Sequence, residues 1–244
     1  MINPSLKEFL KLSQKGNVIP VYKEISADLD TPVSAFLKIK KDNYAFLFES
    51  VEGQERIARY SFLGTQPALI FKSKARSIQI IQPGKRLAKR FITDSNPLEE
   101  IKKIMQDFKP VKLRGLPRFY GGLVGFMGYD MVRFFEELPD KNPDDLKLPD
   151  AIFILTDTIL IFDHLNHTIK IVSNVILPKS GPKSKNKKIK IYRKAVRKIE
   201  SIHKDLKKTV SKEERGYHQR TKIDSNLKKS EFQQMVRSAK KYIK

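Results

Sequence analysis

Residues 151–175 read AIFILTDTILIFDHLNHTIKIVSNV. Two runs rich in β-branched residues, Ala151–Phe162 and Thr168–Val175, flank the polar pentapeptide Asp163-His164-Leu165-Asn166-His167. β-branched side chains suit a pleated sheet, and Asp and Asn suit tight turns. The stretch therefore predicts a long β-hairpin around residues 163–167, with its arms paired antiparallel.

Working outward, helices and strands do not alternate as parallel βαβ units require. Ser5–Leu12 has Leu6, Phe9 and Leu10 at helical spacing. Val18–Ile25 reads as a strand. Thr31-Pro32 caps and opens a helix with Val33, Phe36, Leu37 and Ile39 on its apolar face. Strands follow near residues 43–51, 59–64, 68–73 and 77–82, with turns at Gly53, Gly64 and Pro83-Gly84. Asn96-Pro97 starts a further helix, Phe119–Gly128 reads as a strand, and Met131–Phe135 begins a helix. Lys187–Leu206 carries one stripe: Ile191, Ala195, Ile199, Ile202 and Leu206. The sum is an α+β fold, a largely antiparallel β-sheet core with flanking helices. Ser230 and Gln233 form a capping box for a last helix with Phe232, Val236 and Ala239 on one face. The expected organisation is a domain over 1–207, a polar linker over 208–229 and a new segment over 230–244.

The 244 residues are 40% hydrophobic, enough to fill a core. The absence of cysteine excludes disulfides, zinc–thiolate sites and cysteine nucleophiles. No apolar run approaches the ~18 residues of a membrane span, and the polar N-terminus is unlike a signal peptide. The expectation is a cytoplasmic protein. The formal charge is +22. Part of it sits in a run without acidic residues from Lys179 to Ile199. Such a run is either a solvated face or a source of non-specific affinity for nucleic acid. No zinc-finger, RNP or GxxG signature points to specific recognition.

Few residues point to chemistry. Gly122, Gly125 and Gly128 recur in YGGLVGFMGYD, but no phosphate-cradling motif surrounds them. Their expected role is close approach of a neighbouring backbone. His164 and His167 flank the hairpin turn beside Asp163, either as metal ligands or, with Asp163 and Asn166, as ordinary turn residues. No catalytic constellation appears. The best candidate lies in FLFESVEGQERIARYSFLG, residues 46–64. There Glu49 and Ser50 interrupt an apolar strand, and Arg59 opens the next one. If the two strands pair, a carboxylate, a hydroxyl and a guanidinium gather at one end. They can hold the ammonium and carboxylate of a zwitterion, or Glu49 and Arg59 can simply close a hairpin.

FESVEGQERIARYSFLGTQP and YGGLVGFMGYDMVRFFEELP closely resemble two segments of anthranilate synthase component I, the first its tryptophan-binding element. The opening KEFLKLSQKGNVIPVYKEISADLDTPVSAFLKI and DTILIFDHLNHTIKIV fit the same family, so the resemblance covers essentially the whole chain. It implies the N-terminal part of that fold. The family's enzyme makes anthranilate and pyruvate from chorismate, using magnesium and ammonia from a glutamine amidotransferase subunit, component II. Tryptophan inhibits it. The resemblance places the inhibitor on Glu49 and Ser50, preceded by Phe48, with Arg59 as the neighbouring basic residue. It also implies that the catalytic and metal-binding residues belong to a chorismate-binding half following the helix near Ser230. The chain alone is then expected to hold no catalytic residue and no cofactor, and to be inactive. The alternatives are the related subunit of aminodeoxychorismate synthase and a basic nucleic-acid-binding protein.

Overall fold

The computed structural model describes residues 1–41, 43–49, 59–83, 88–140, 143–178, 184–210 and 224–243. The chain divides into two compact units, Met1–Val210 and Ser211–Lys244. In the first, the strands are β1 (Ile2–Asn3), β2 (Val18–Ser26), β3 (Ala45–Phe48), β4 (Tyr60–Thr65), β5 (Leu69–Lys74), β6 (Ser77–Ile81), β7 (Ala88–Ile92), β8 (Gly122–Met127), β9 (Ala151–Thr156), β10 (Thr158–Asp163) and β11 (Thr168–Ile176). The helices are α1 (Leu6–Leu12), α2 (Pro32–Ile39), α3 (Pro97–Met105) and α4 (Lys185–Leu206). The second unit holds α5 (Lys229–Ile243).

Local sequence explains the helix starts. Ser5 accepts the Glu8 N–H, and the Glu8 carboxylate accepts the Ser5 N–H, a reciprocal capping box. Thr31 and Ser34 make the same exchange before α2, with Pro32 at its first position. Asn96 caps α3.

Six strands form one sheet in the order β1-β2-β11-β10-β4-β3, and five form another in the order β7-β6-β5-β9-β8. The ladders are antiparallel, so the expected α+β class is observed. The six-stranded sheet buries both faces, and its residues alternate between them. Leu63, Leu160, Phe162, Ile169 and Ile171 join the core formed with Phe9 of α1, Ala35 and Ile39 of α2, and Tyr192, Ala195 and Ile199 of α4. Tyr22, Ile159, Ile161 and Val172 face the other way, onto Leu113, Leu116, Phe119 and Tyr120. Tyr192 packs against Phe9, with ring centroids 5.0 Å apart, and donates its hydroxyl to the Pro4 carbonyl at 2.8 Å. The solvent side of α4 carries exposed Lys190, Arg193, Lys194 and Arg197.

Several expectations need correction. The first arm of the hairpin is not one strand: β9 belongs to the five-stranded sheet and β10 to the six-stranded one. Asp157 makes the corner. Its carboxylate accepts from Lys198 at 3.0 and 3.3 Å, its carbonyl accepts the Asn174 N–H at 2.6 Å, and Thr156 Oγ1 donates to the Thr158 carbonyl. Val33 and Leu37 are exposed, because α2 turns Ala35 and Ile39 to the core. Residues 129–134 form a 3-10 turn. Helix α5 begins at Lys229, so Ser230 lies inside it, and Glu231 accepts the Lys228 N–H. The short strands β1 and β7 were not foreseen.

Gly125 has the expected role. A Cβ there would stand 1.9 Å from the Ile152 carbonyl oxygen, so β8 can approach β9 only without a side chain. Gly122 answers a different need, with φ at +135°.

Candidate functional site

Three of the candidate residues, Phe48, Glu49 and Arg59, lie at one end of the six-stranded sheet. Strand β3 pairs with β4, with Phe48 opposite Phe62, and β4 pairs with β10, with Tyr60 opposite Asp163. Antiparallel registry thus brings the end of β3, the start of β4 and the end of β10 together. Phe48 closes β3; its ring is half exposed and 5.3 Å from that of Phe46. Glu49 follows it into solvent. Ser50 lies outside the described residues.

Arg59 occupies the residue before β4. Its Nε–H donates to Asp163 Oδ1 at 3.0 Å and its NH2 group to Oδ2 at 2.8 Å. The guanidinium also lies 4.9 Å from the centroid of the Tyr60 ring. Asp163, read from sequence as a turn residue, does more than shape the turn. It accepts the Leu165 and Asn166 N–H groups and the Asn166 side-chain amide as well as Arg59. Burial opposes its ionisation. The Arg59 and Asn166 hydrogen bonds together outweigh that, and hold the carboxyl below the usual aspartate range. The same ion pair raises Arg59. The acid that engages Arg59 is therefore Asp163, in the hairpin turn opposite.

Beside this pair, buried Ser61 Oγ lies 2.7 Å from His164 Nε2. That bond occupies one ring nitrogen of His164, while His167 holds a left-handed turn position at φ 49°. Among the described residues no group of three or more His, Asp or Glu side chains is placed to hold a metal. The cluster offers a fixed guanidinium, a solvent-facing carboxylate and an aromatic ring, groups that can pair with charged and apolar parts of a small ligand.

A cavity of about 670 Å³ opens at the other end of the same sheet. Leu113, Leu116, Leu155 and Ile176 form its apolar wall, and Asn174 and Asp157 a polar corner. The length of β10, about 17 Å at ~3.3 Å per residue, separates it from Asp163.

Sequence reading missed Asp163, Tyr60 and Ser61. A charged residue closing a strand after five uncharged positions, Thr158–Phe162, was the available signal, but only strand register reveals that it faces Arg59.

Residues 43–244 match the family described as chorismate binding enzyme. Two curated relatives, each named anthranilate synthase component 1, are similar along nearly the whole chain. That of Acetivibrio thermocellus is 36% identical over 100% of this chain and 49% of its own length. That of Aquifex aeolicus is 37% identical over 99% of this chain and 48% of its own. The chain thus spans about half the length of these relatives. The crystal structure of anthranilate synthase component I from Streptococcus pneumoniae superposes with a TM-score of 0.54 at 21% identity, covering 88% of this chain and 44% of that one, which supports the fold.

Proposed function

The chain belongs to the chorismate binding enzyme family, and from that premise we propose that it is the N-terminal, tryptophan-sensing portion of an anthranilate synthase component I. The similarity of the whole chain to two relatives of that name carries this reading. The strand-end cluster supports the regulatory part of it. Arg59 meets the carboxylate of tryptophan, Glu49 and Ser50 take its ammonium, and Phe48 offers an apolar ring to the indole. Among the described residues no helix is long and apolar enough to cross a membrane.

The chain spans about half the length of these relatives, and the family resemblance assigns chorismate turnover and magnesium to a chorismate-binding half. On this reading the purified chain is expected to make no anthranilate from chorismate, ammonia and magnesium. Magnesium-dependent anthranilate from host-free protein would defeat this part of the proposal. A linked expectation is a surface complementary to the chorismate-binding half. The half-exposed Phe126 and Met127 of β8, with exposed Tyr129 and Phe135 beyond it, are its candidates.

Tryptophan titration tests the regulatory reading, on the chain alone and joined in cis to a chorismate-binding half. Losing one hydrogen bond to a charged group costs about 1.5–3 kcal/mol, so Ser50→Ala should weaken binding roughly ten- to a hundredfold. Turnover of the joined protein without tryptophan should be unchanged. Full sensitivity to tryptophan in the variant would leave Glu49-Ser50 as the polar end of a strand.

A further inference from the structure

We infer that Asp163 is a positioning residue, which fixes the Arg59 guanidinium so that its unused N–H edge faces a ligand carboxylate at the end of β3 and β4. The inference rests on the tryptophan reading above and extends it to a residue in a different hairpin.

The donor inventory leads to it. A guanidinium has five N–H donors in a rigid fork. Asp163 takes the Nε–H and one hydrogen of NH2, both along one edge. Three N–H groups have no partner among the described residues, and two of them, one on each terminal nitrogen, form the outer end of the fork. That end matches a carboxylate bidentately. Tyr60 packs near the guanidinium and further limits its rotation.

Asp163 is suited to hold rather than to bind. Its side chain is 2% exposed, whereas that of Arg59 is 36% exposed. Its oxygens are already engaged by Leu165, Asn166 and Arg59. Asp163 is thus pinned from behind by its own turn, and Arg59 is pinned by Asp163 and reachable from solvent. The pair is close to neutral in sum. Its contribution is orientation: ordering a free, rotamer-rich side chain on binding costs affinity roughly twofold to tenfold.

The test compares two ligands on the full chain, tryptophan and tryptamine, which lacks the carboxylate. Calorimetric titration should show Asp163→Asn weakening tryptophan up to about tenfold while leaving tryptamine unchanged. Adding Asp163→Asn to Arg59→Ala should weaken tryptophan no further, because the first residue acts through the second. Equal losses for both ligands, additive losses in the double variant, or tighter tryptophan binding would each overturn the inference. The Arg59 Nε–H resonance supplies an independent readout. It should be resolved and protected in the wild type and lost in Asp163→Asn, and an unchanged signal would refute the clamp. If the wild type binds neither ligand at millimolar concentration, the tryptophan reading of this chain falls with the ligand half of the inference. The resonance still decides whether Asp163 holds Arg59.

Discussion

Strands β8 and β10 are both six residues long, and both look apolar in sequence: GLVGFM and TILIFD. Yet β10 is buried at every position, while β8 buries only Val124 and leaves Phe126 and Met127 half exposed. The difference is their place in the sheets. β10 lies between β4 and β11, with helices beneath one face and an aromatic cluster over the other. β8 is an edge strand, paired on one side by β9. Composition specifies that a strand can be buried, and neighbours decide whether it is.

Truncating the interior strand should have the largest effect. Leu160 is fully buried in the helix-side core, so Leu160→Ala is expected to cost about 2–5 kcal/mol in denaturant unfolding. A loss near zero would mean that the six-stranded sheet is not the cooperative centre of the domain. Next, Gly125→Ala should cost about 1–3 kcal/mol, since the new methyl must push β8 off the Ile152 carbonyl. An unaltered unfolding midpoint would show that this edge pairing is loose.

Acid should act more gradually. Lys208 and then Lys41 hold the Asp205 carboxyl below its ordinary value, and Lys23 does the same for Glu200. Asp163 is lowered too, as its hydrogen bonds outweigh its burial. For a carboxyl depressed in the folded state, the stabilisation is present above its unfolded pKa and lost as pH falls through its folded one. Stability should therefore decline as pH drops below the usual carboxylate range, near 4. A flat profile from pH 5 to 2 would contradict these pairings. The smallest effect belongs to the edge strand: Phe126→Ser should change stability by no more than about 0.5 kcal/mol while reducing hydrophobic-dye binding. Unchanged dye fluorescence would exclude Phe126 from the exposed patch.

The same contrast explains what could be read beforehand. The starts of α1 and α2 were legible because caps act over three residues, and the α4 stripe because its periodicity is local. The corner at Asp157 was not, since nothing in ILTDTILI, residues 154–161, announces a change of sheet; it depends on Lys198, 41 residues on. At the candidate site, strand register puts Phe48, Glu49 and Arg59 at one end of the sheet. The Arg59–Asp163 pair spans 104 residues and follows from register, which no local pattern encodes.

Strand β2 pairs along its whole length with β11, from Ser26 opposite Thr168 to Val18 opposite Ile176. During synthesis, this apolar strand must wait for a partner made some 150 residues later. At roughly 5–20 residues per second that delay is on the order of 10–30 s. Over that interval Val18–Tyr22 has no β11 to pair with, so nascent-chain binding factors have more time on this segment than on the β10–β11 hairpin, which closes as soon as it emerges.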